Sequence, residues 1–131
     1  MTAQQTLVAR LTSDATLTAL IGDRLWPDLT RQDPPFPFVL YQRANTDRLT
    51  GLGGPKRTNM HTVEVDVFAA TAAAAETIVG VIVDRLNGWV DRTAGVLGCF
   101  VEESDSKEFE SPGGVHRSNS VQARVWFRDA A

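Results

Sequence analysis

The sequence is poor in the residues that most often catalyse reactions or bind metal ions. It has one cysteine, Cys99, and two histidines, His61 and His116, among 131 residues. A single cysteine excludes an intrachain disulfide, and without a Cys/His cluster a zinc site lacks its ligands. No apolar run approaches the roughly 20 residues of a membrane-spanning helix. Lys and Arg total 13 against 16 Asp and Glu, so no overall positive field attracts nucleic acid.

The remaining reactive residues fall into no catalytic motif. Cys99 lies in an apolar stretch, which favours a buried and unreactive thiol. His61 would need Glu64 and Asp66 on its own side to bind a metal, but strand alternation puts the acids on the opposite face. The glycine-rich segment 52–58 lacks the spacing of a phosphate-binding loop and precedes a strand instead of a helix. We therefore predict no enzyme activity, no cofactor and no metal site.

Apolar residues at helical spacing predict three helices. The first two cover residues 2–11 and 14–21, either as separate helices or as one kinked element, and the pair Ser13-Asp14 between them can cap the second. The third covers residues 71–88, where Thr71 precedes four alanines and then an apolar stripe.

Alternating and apolar stretches predict the strands. These are a short strand at 24–26 and longer strands at 38–44, 61–69, 96–103 and 118–128. The polar, glycine-containing segments 45–60 and 104–116 are predicted to be long loops, mobile in the free protein and ordered on assembly. The fold class is therefore α+β in a single domain over residues 1–131. An N-terminal helical segment precedes β-β-α-β-β, which forms one mainly antiparallel sheet with a helix packed on one face.

Period-2 alternation also predicts which side chains face away from the helix. This outer set combines aromatic residues with both signs of charge: Tyr41, Arg43, Glu64, Asp66, Phe68, Arg124, Trp126 and Arg128. One interpretation is cross-strand pairing, which contributes roughly 0.2–1 kcal/mol per pair. The other is a subunit interface, because aromatic residues and Arg are enriched where proteins meet.

The segment 45–60 carries the one notable basic cluster. Arg48, Lys56 and Arg57 are either solvated loop charges or a contact for passing nucleic acid or an acidic partner. With Leu49, they are the candidates for contacts outside the sheet.

Four motifs, taken in order, resemble the tail-completion proteins of long-tailed phages. Leu17–Pro27 resembles the family's helix, glycine, arginine and aromatic opening. Pro35–Tyr41 is similar to its proline-led strand entry, and Val63–Ala69 to its central strand of valines, acids and an aromatic residue. Val121–Phe127 is similar to its last strand. Together they extend over nearly the whole chain.

This resemblance implies a tail terminator without catalytic residues or cofactor. Such proteins form a ring, usually a hexamer, that stops polymerisation of the tail tube and joins the tail to the head. The implied partners are other copies of the chain, the major tail tube protein and the head–neck connector, with DNA passing as cargo and no membrane. Under this resemblance, the segment that carries Arg48, Leu49, Lys56 and Arg57 is the candidate for contact with the tube or the neck. The implied location is the tail–neck junction of the virion, after assembly in the host cytoplasm. The alternatives are another neck component, such as a stopper or head-completion protein, and a monomeric binding module or small enzyme.

Overall fold

Three helices and six strands make up the computed structural model, which describes residues 2–27, 37–51, 54–103, 107–111 and 114–128. The helices are α1 (Ala3–Thr12), α2 (Ala15–Ile21) and α3 (Ala72–Leu86). The strands are β1 (Leu25–Pro27), β2 (Phe38–Gly51), β3 (Gly54–Ala69), β4 (Val96–Glu103), β5 (Lys107–Ser111) and β6 (Gly114–Arg128).

The strands form one sheet in the order β1-β2-β3-β6-β4, and β5 pairs with β6 as well. β1 is parallel to β2, and every other described pair is antiparallel. Ser118 of β6 pairs with both Phe68 of β3 and Lys107 of β5, so β5 lies on the same side of β6 as β4. The predicted α+β class with a mainly antiparallel sheet is confirmed.

Side-chain caps set where the helices begin. Thr2 and Gln5 form a capping box at the start of α1, and the Asp14 carboxylate accepts from Thr16 N–H and Leu17 N–H at the start of α2. Thr71 caps α3 by accepting from Ala74 N–H. The predicted caps at Asp14 and Thr71 are therefore confirmed.

The core lies between the helices and one face of the sheet. Val63, Val65 and Val67 of β3 are fully buried. They share this face with the β6 side chains predicted to point inward, Val121, Ala123, Val125 and Phe127. α3 packs on β3, β6 and β4, and its buried stripe is Ala75, Ile78, Val79, Ile82 and Leu86. α1 and α2 contact α3 and each other.

Arg10 and Asp14 attach the first two helices to the end of α3. Arg10 Nε donates to the Arg85 carbonyl oxygen at 2.6 Å, and the Arg10 guanidinium lies 4.9 Å from the ring centre of Trp89. Burial, and then the charge of Arg85, lower the pKa of the Arg10 guanidinium. Arg85 Nε and Asp14 Oδ2 form an ion pair at 2.9 Å, although the two groups are not aligned for a hydrogen bond.

We expect Arg10→Ala to lower the free energy of unfolding by about 2–3 kcal/mol. The change removes a charged hydrogen bond to a helix C-terminus and a cation–π contact. Urea unfolding measures the loss, and Arg92→Ala is the control because Arg92 is an exposed arginine in the turn after α3. Equal unfolding midpoints for the two variants would contradict this role of Arg10.

The two segments predicted as long loops are largely strand, so that prediction was wrong. β2 and β3 stay paired from Phe38↔Phe68 to Gly51↔Gly54, with register shifts after Arg43 and after Arg48. β5 and the start of β6 fill most of the second segment. The sequence suggested loops because both segments are polar and rich in glycine. Hydrogen bonds between paired strands satisfy the backbone N–H and C=O groups of these segments, so the strands need no apolar face.

The phase predicted for β2 was wrong by one residue. Tyr41 is in register with Val65, which faces the helices, and the Tyr41 side chain packs against the core. Arg43 is in register with Val63. Phe38 and Leu40 take the outer face instead, in register with Phe68 and Asp66. Because the run from Phe38 to Tyr41 is apolar throughout, alternation did not reveal which side chains face the helices.

Candidate subunit interface

The face of the sheet opposite the helices, called the outer face below, is the candidate functional site. It contains six of the eight predicted residues: Glu64, Asp66 and Phe68 of β3, and Arg124, Trp126 and Arg128 of β6. The β3–β6 register fixes their neighbours, since Glu64 aligns with Gln122 and Asp66 with Ser120. The Ser120 hydroxyl donates to Asp66 Oδ1 at 2.6 Å.

The β4 side of the outer face is open. Phe100, in register with Arg124, is 60% exposed, which is unusual for a large aromatic side chain. Arg124 contacts Glu102 through two atom pairs, Nη1–Oε1 at 2.9 Å and Nη2–Oε2 at 3.4 Å. Both side chains are largely exposed, so this ion pair adds at most about 1 kcal/mol to the stability of the subunit. It holds a guanidinium and a carboxylate in place next to an exposed ring.

The β2 side of the outer face is closed. Phe38 and Leu40 are buried, and the Phe38 ring stacks on Phe68 with centroids 4.8 Å apart and an interplanar angle of 13°. Trp26 lies 6.0 Å from Phe38, centroid to centroid. Phe68 therefore packs within its own subunit, and the exposed aromatic surface is concentrated around β4 and β6.

Phe100 and Glu102 are further members of this face that the predicted set did not include. Both follow the alternation of β4, where the buried Cys99 and the half-buried Val101 point to the helices. That alternation was present in the sequence, but the exposure of Phe100 follows from the position of β4 at the end of the sheet.

The predicted contact residues outside the sheet lie on paired strands. Arg48 is in register with Asn59, and Lys56 and Arg57 belong to β3. Leu49 lies in β2 at a register shift. The side chains of these four residues and of Arg43 lie outside the described part of the structure.

The groups considered for chemistry are buried or dispersed. His61 lies on the helix side, with Nδ1 3.1 Å from Thr46 Oγ1 and the ring edge-on to Phe127, while Glu64 and Asp66 lie on the other side. The described residues contain no group of three or more His, Cys, Asp or Glu side chains suited to a metal ion. None of the helices described is long and apolar enough to cross a bilayer.

The family model for the tail completion protein gp17 matches residues 5–128. The chain belongs to this family. A chain from the virion of the native gene transfer agent particle has a similar fold, with a TM-score of 0.63 and 19% sequence identity over 95% of this chain and 94% of that chain. No curated protein matches the sequence.

Membership of the tail completion family confirms two predictions. The resemblance seen in the four sequence motifs was correct, and the protein is a structural tail protein and not an enzyme. The outer face and the sheet edges remain the candidate site of this structural protein.

The single thiol of this tail completion protein is protected by the fold. Cys99 is 1% exposed, and burial raises its pKa from 9.0 to about 12, partly offset by the positive charge of Arg10. Burial therefore keeps the thiol protonated and inert, as the sequence predicted.

We expect this pKa to make the protein less stable in alkali. Below about pH 9 the thiol is protonated in both the folded and the unfolded chain, whereas between about pH 9 and 12 only the unfolded chain ionises. The stability is therefore complete below about pH 9 and falls as the pH rises toward about 12. Urea midpoints at about pH 8 and pH 10.5 measure the loss, and Cys99→Ala should show a smaller one. Identical losses in both proteins would contradict the assignment.

Proposed function

We propose that this tail completion protein is a tail terminator. It assembles as a ring, hexameric in the virion, on the end of the finished tail tube. The ring stops tube polymerisation and forms the surface to which the head–neck connector joins. The match of the family model over residues 5–128 carries this proposal, and the similar fold of a chain from a gene transfer agent virion supports it.

The open side of the outer face supplies a surface for subunit contacts. Protein interfaces are anchored by buried aromatic and Arg residues. Phe100, Trp126 and Arg124 provide such a group, and Glu64 and Asp66 extend it with negative charge toward the β2 side. Arg128 and Phe68 complete the candidates on this face.

Assembly on a template explains how such a ring avoids forming early. Each subunit contact needs only modest affinity, because closure of the ring makes the contacts support one another. The chain is then a monomer in solution, and the tube end brings the copies together. DNA passes through the lumen as cargo, and the subunits bind one another, the tail tube protein and the connector.

Disruption of the gene in an inducible prophage or an infecting phage tests the role. We expect tails of uncontrolled length, unattached to filled heads, and a gene supplied in trans should restore normal particles. Tails of normal length joined to heads would rule out the terminator. Normal tails beside heads that lose their DNA would identify a stopper instead.

A further inference from the structure

The β2–β3 hairpin extends beyond the rest of the sheet. β6 accompanies β3 only as far as Thr58, while β2 and β3 remain paired to Gly51 and Gly54. On its other side, β2 is paired by β1 over Val39–Tyr41 alone within the described residues. A two-stranded hairpin is marginally stable in water and gains from being packed on a further surface.

This hairpin is positively charged in a chain that is otherwise acidic. Residues 47–51 and 54–57, called the basic arm, contain Asp47, Arg48, Lys56 and Arg57, which gives a net charge of +2. The whole chain carries a net charge of -3, so the remainder carries -5. The arm therefore differs in sign from the rest of the surface.

The opposite edge of the sheet is negatively charged. β4 ends with the exposed Glu102 and Glu103, and β5 contains Lys107, Glu108 and Glu110. These five residues, called the acidic edge, have a net charge of -3 between them; Glu102 is paired with Arg124, and Glu108 is in register with Arg117 of β6. β4 and β5 both pair with β6 on the side away from β3. The exposed Phe100 belongs to β4 and lies two residues before Glu102.

The arm and the acidic edge lie at diagonally opposite corners of the sheet. The basic arm begins next to Thr58 of β3, which pairs with Arg128 at the C-terminal end of β6. β5 instead pairs with residues 114–118 of β6. Arg128 and Ser118 are ten residues apart, or about 33 Å along β6, whereas Glu102 and Glu103 of β4 pair with Gln122 and Val121, about 20–23 Å from Arg128. The two oppositely charged surfaces of one subunit are therefore too far apart to pair with each other. Each can pair only with the opposite surface of another copy.

We infer that the basic arm of one subunit binds the acidic edge of the next, with Phe100 as the apolar part of the contact. This inference rests on the proposed ring and names the surfaces that hold it together. Two different surfaces joined head to tail make a heterologous contact, which closes into a ring when the rotation between subunits permits. Because the corners are diagonal, the strands of each subunit are inclined to the plane of the ring.

Reversal of the charges separates this contact from other arrangements. The arm variant carries Arg48→Glu, Lys56→Glu and Arg57→Glu, and the edge variant carries Glu103→Lys, Glu108→Lys and Glu110→Lys. Glu102 is left unchanged because it pairs with Arg124. Each variant is added to purified tail tubes that lack the protein, and rings are counted by electron microscopy and native mass spectrometry. Melting curves confirm that each variant is folded.

We expect each variant alone to cap tubes at least about tenfold less well than the wild type, because like charges then meet at every contact. Mixed in equal amounts, the two variants should cap tubes again, in rings where they alternate. A protein with all six changes should form rings with itself and exclude the wild type. Glu76→Lys with Asp84→Lys, on the exposed side of α3, is the control and should cap normally.

Each other outcome overturns the inference in its own way. If the wild type forms rings and both variants do so equally well, the arm–edge contact is wrong while the terminator role stands. If the arm variant forms normal rings but the particles fail to retain or pass DNA, the arm contacts DNA. If the wild type forms no ring on tube ends, the proposed function fails and the contact with it.

Discussion

Val65→Asp should unfold the protein. Val65 is fully buried in β3, in register with Tyr41 of β2 and Val121 of β6, and it faces α3. A carboxylate placed there is buried within the hydrophobic core. An uncompensated buried charge costs about 3–5 kcal/mol, a large part of the 5–15 kcal/mol that stabilises a typical domain. We expect a melting temperature lower by at least about 10 °C, or no cooperative transition.

Thr62→Asp is the matched control on the same strand. Thr62 lies on the outer face in register with Arg124, so its new carboxylate has both water and a cation nearby. The change should cost at most about 1 kcal/mol. Circular dichroism during heating compares the two variants, and an unchanged melting temperature for Val65→Asp would refute the burial of this face.

Phe100→Ala should abolish capping of tail tubes while the subunit stays folded. The ring is 60% exposed, so its loss removes little packing within the subunit. An aromatic anchor at the centre of an interface contributes about 2–4 kcal/mol to binding, which corresponds to roughly a 30- to 1000-fold change in affinity. The effect recurs at every contact in the ring. The concentration of protein that caps half of the tube ends measures it.

Val90→Ala is the control for this variant, because Val90 is a large apolar residue of similar exposure, 54%, in the turn after α3. It should leave both capping and stability close to those of the wild type. Capping by Phe100→Ala at wild-type concentrations would exclude the open side of the outer face from the ring contact.

The face of the sheet that the helices cover could be predicted from the sequence because the two faces of β3 differ in polarity. Val63, Val65 and Val67 alternate with Thr62, Glu64 and Asp66, so only one phase buries the valines. The helix caps could also be predicted, since a single Thr or Asp next to an apolar periodic segment marks where a helix begins.

The errors arose where structure depends on distant partners. From Phe38 to Tyr41 both faces are apolar, so the register with β3 decides which side chains face the helices. The hairpins looked like loops because polar strands that pair with each other leave no apolar alternation in the sequence. The exposure of Phe100 depends on the sheet order.

In the β2–β3 hairpin, the number of residues added to each strand decides which face the side chains beyond the insertion occupy. Side chains alternate between faces, so one residue added to each strand turns over every side chain beyond the insertion. Two residues added to each strand keep every side chain on its face and move the tip by about 7 Å. Because the hairpin continues beyond Thr58, where the β3–β6 pairing ends, such steps leave Val63, Val65 and Val67 in place. The reach of a subunit can therefore change in evolution or by design without any change to its core.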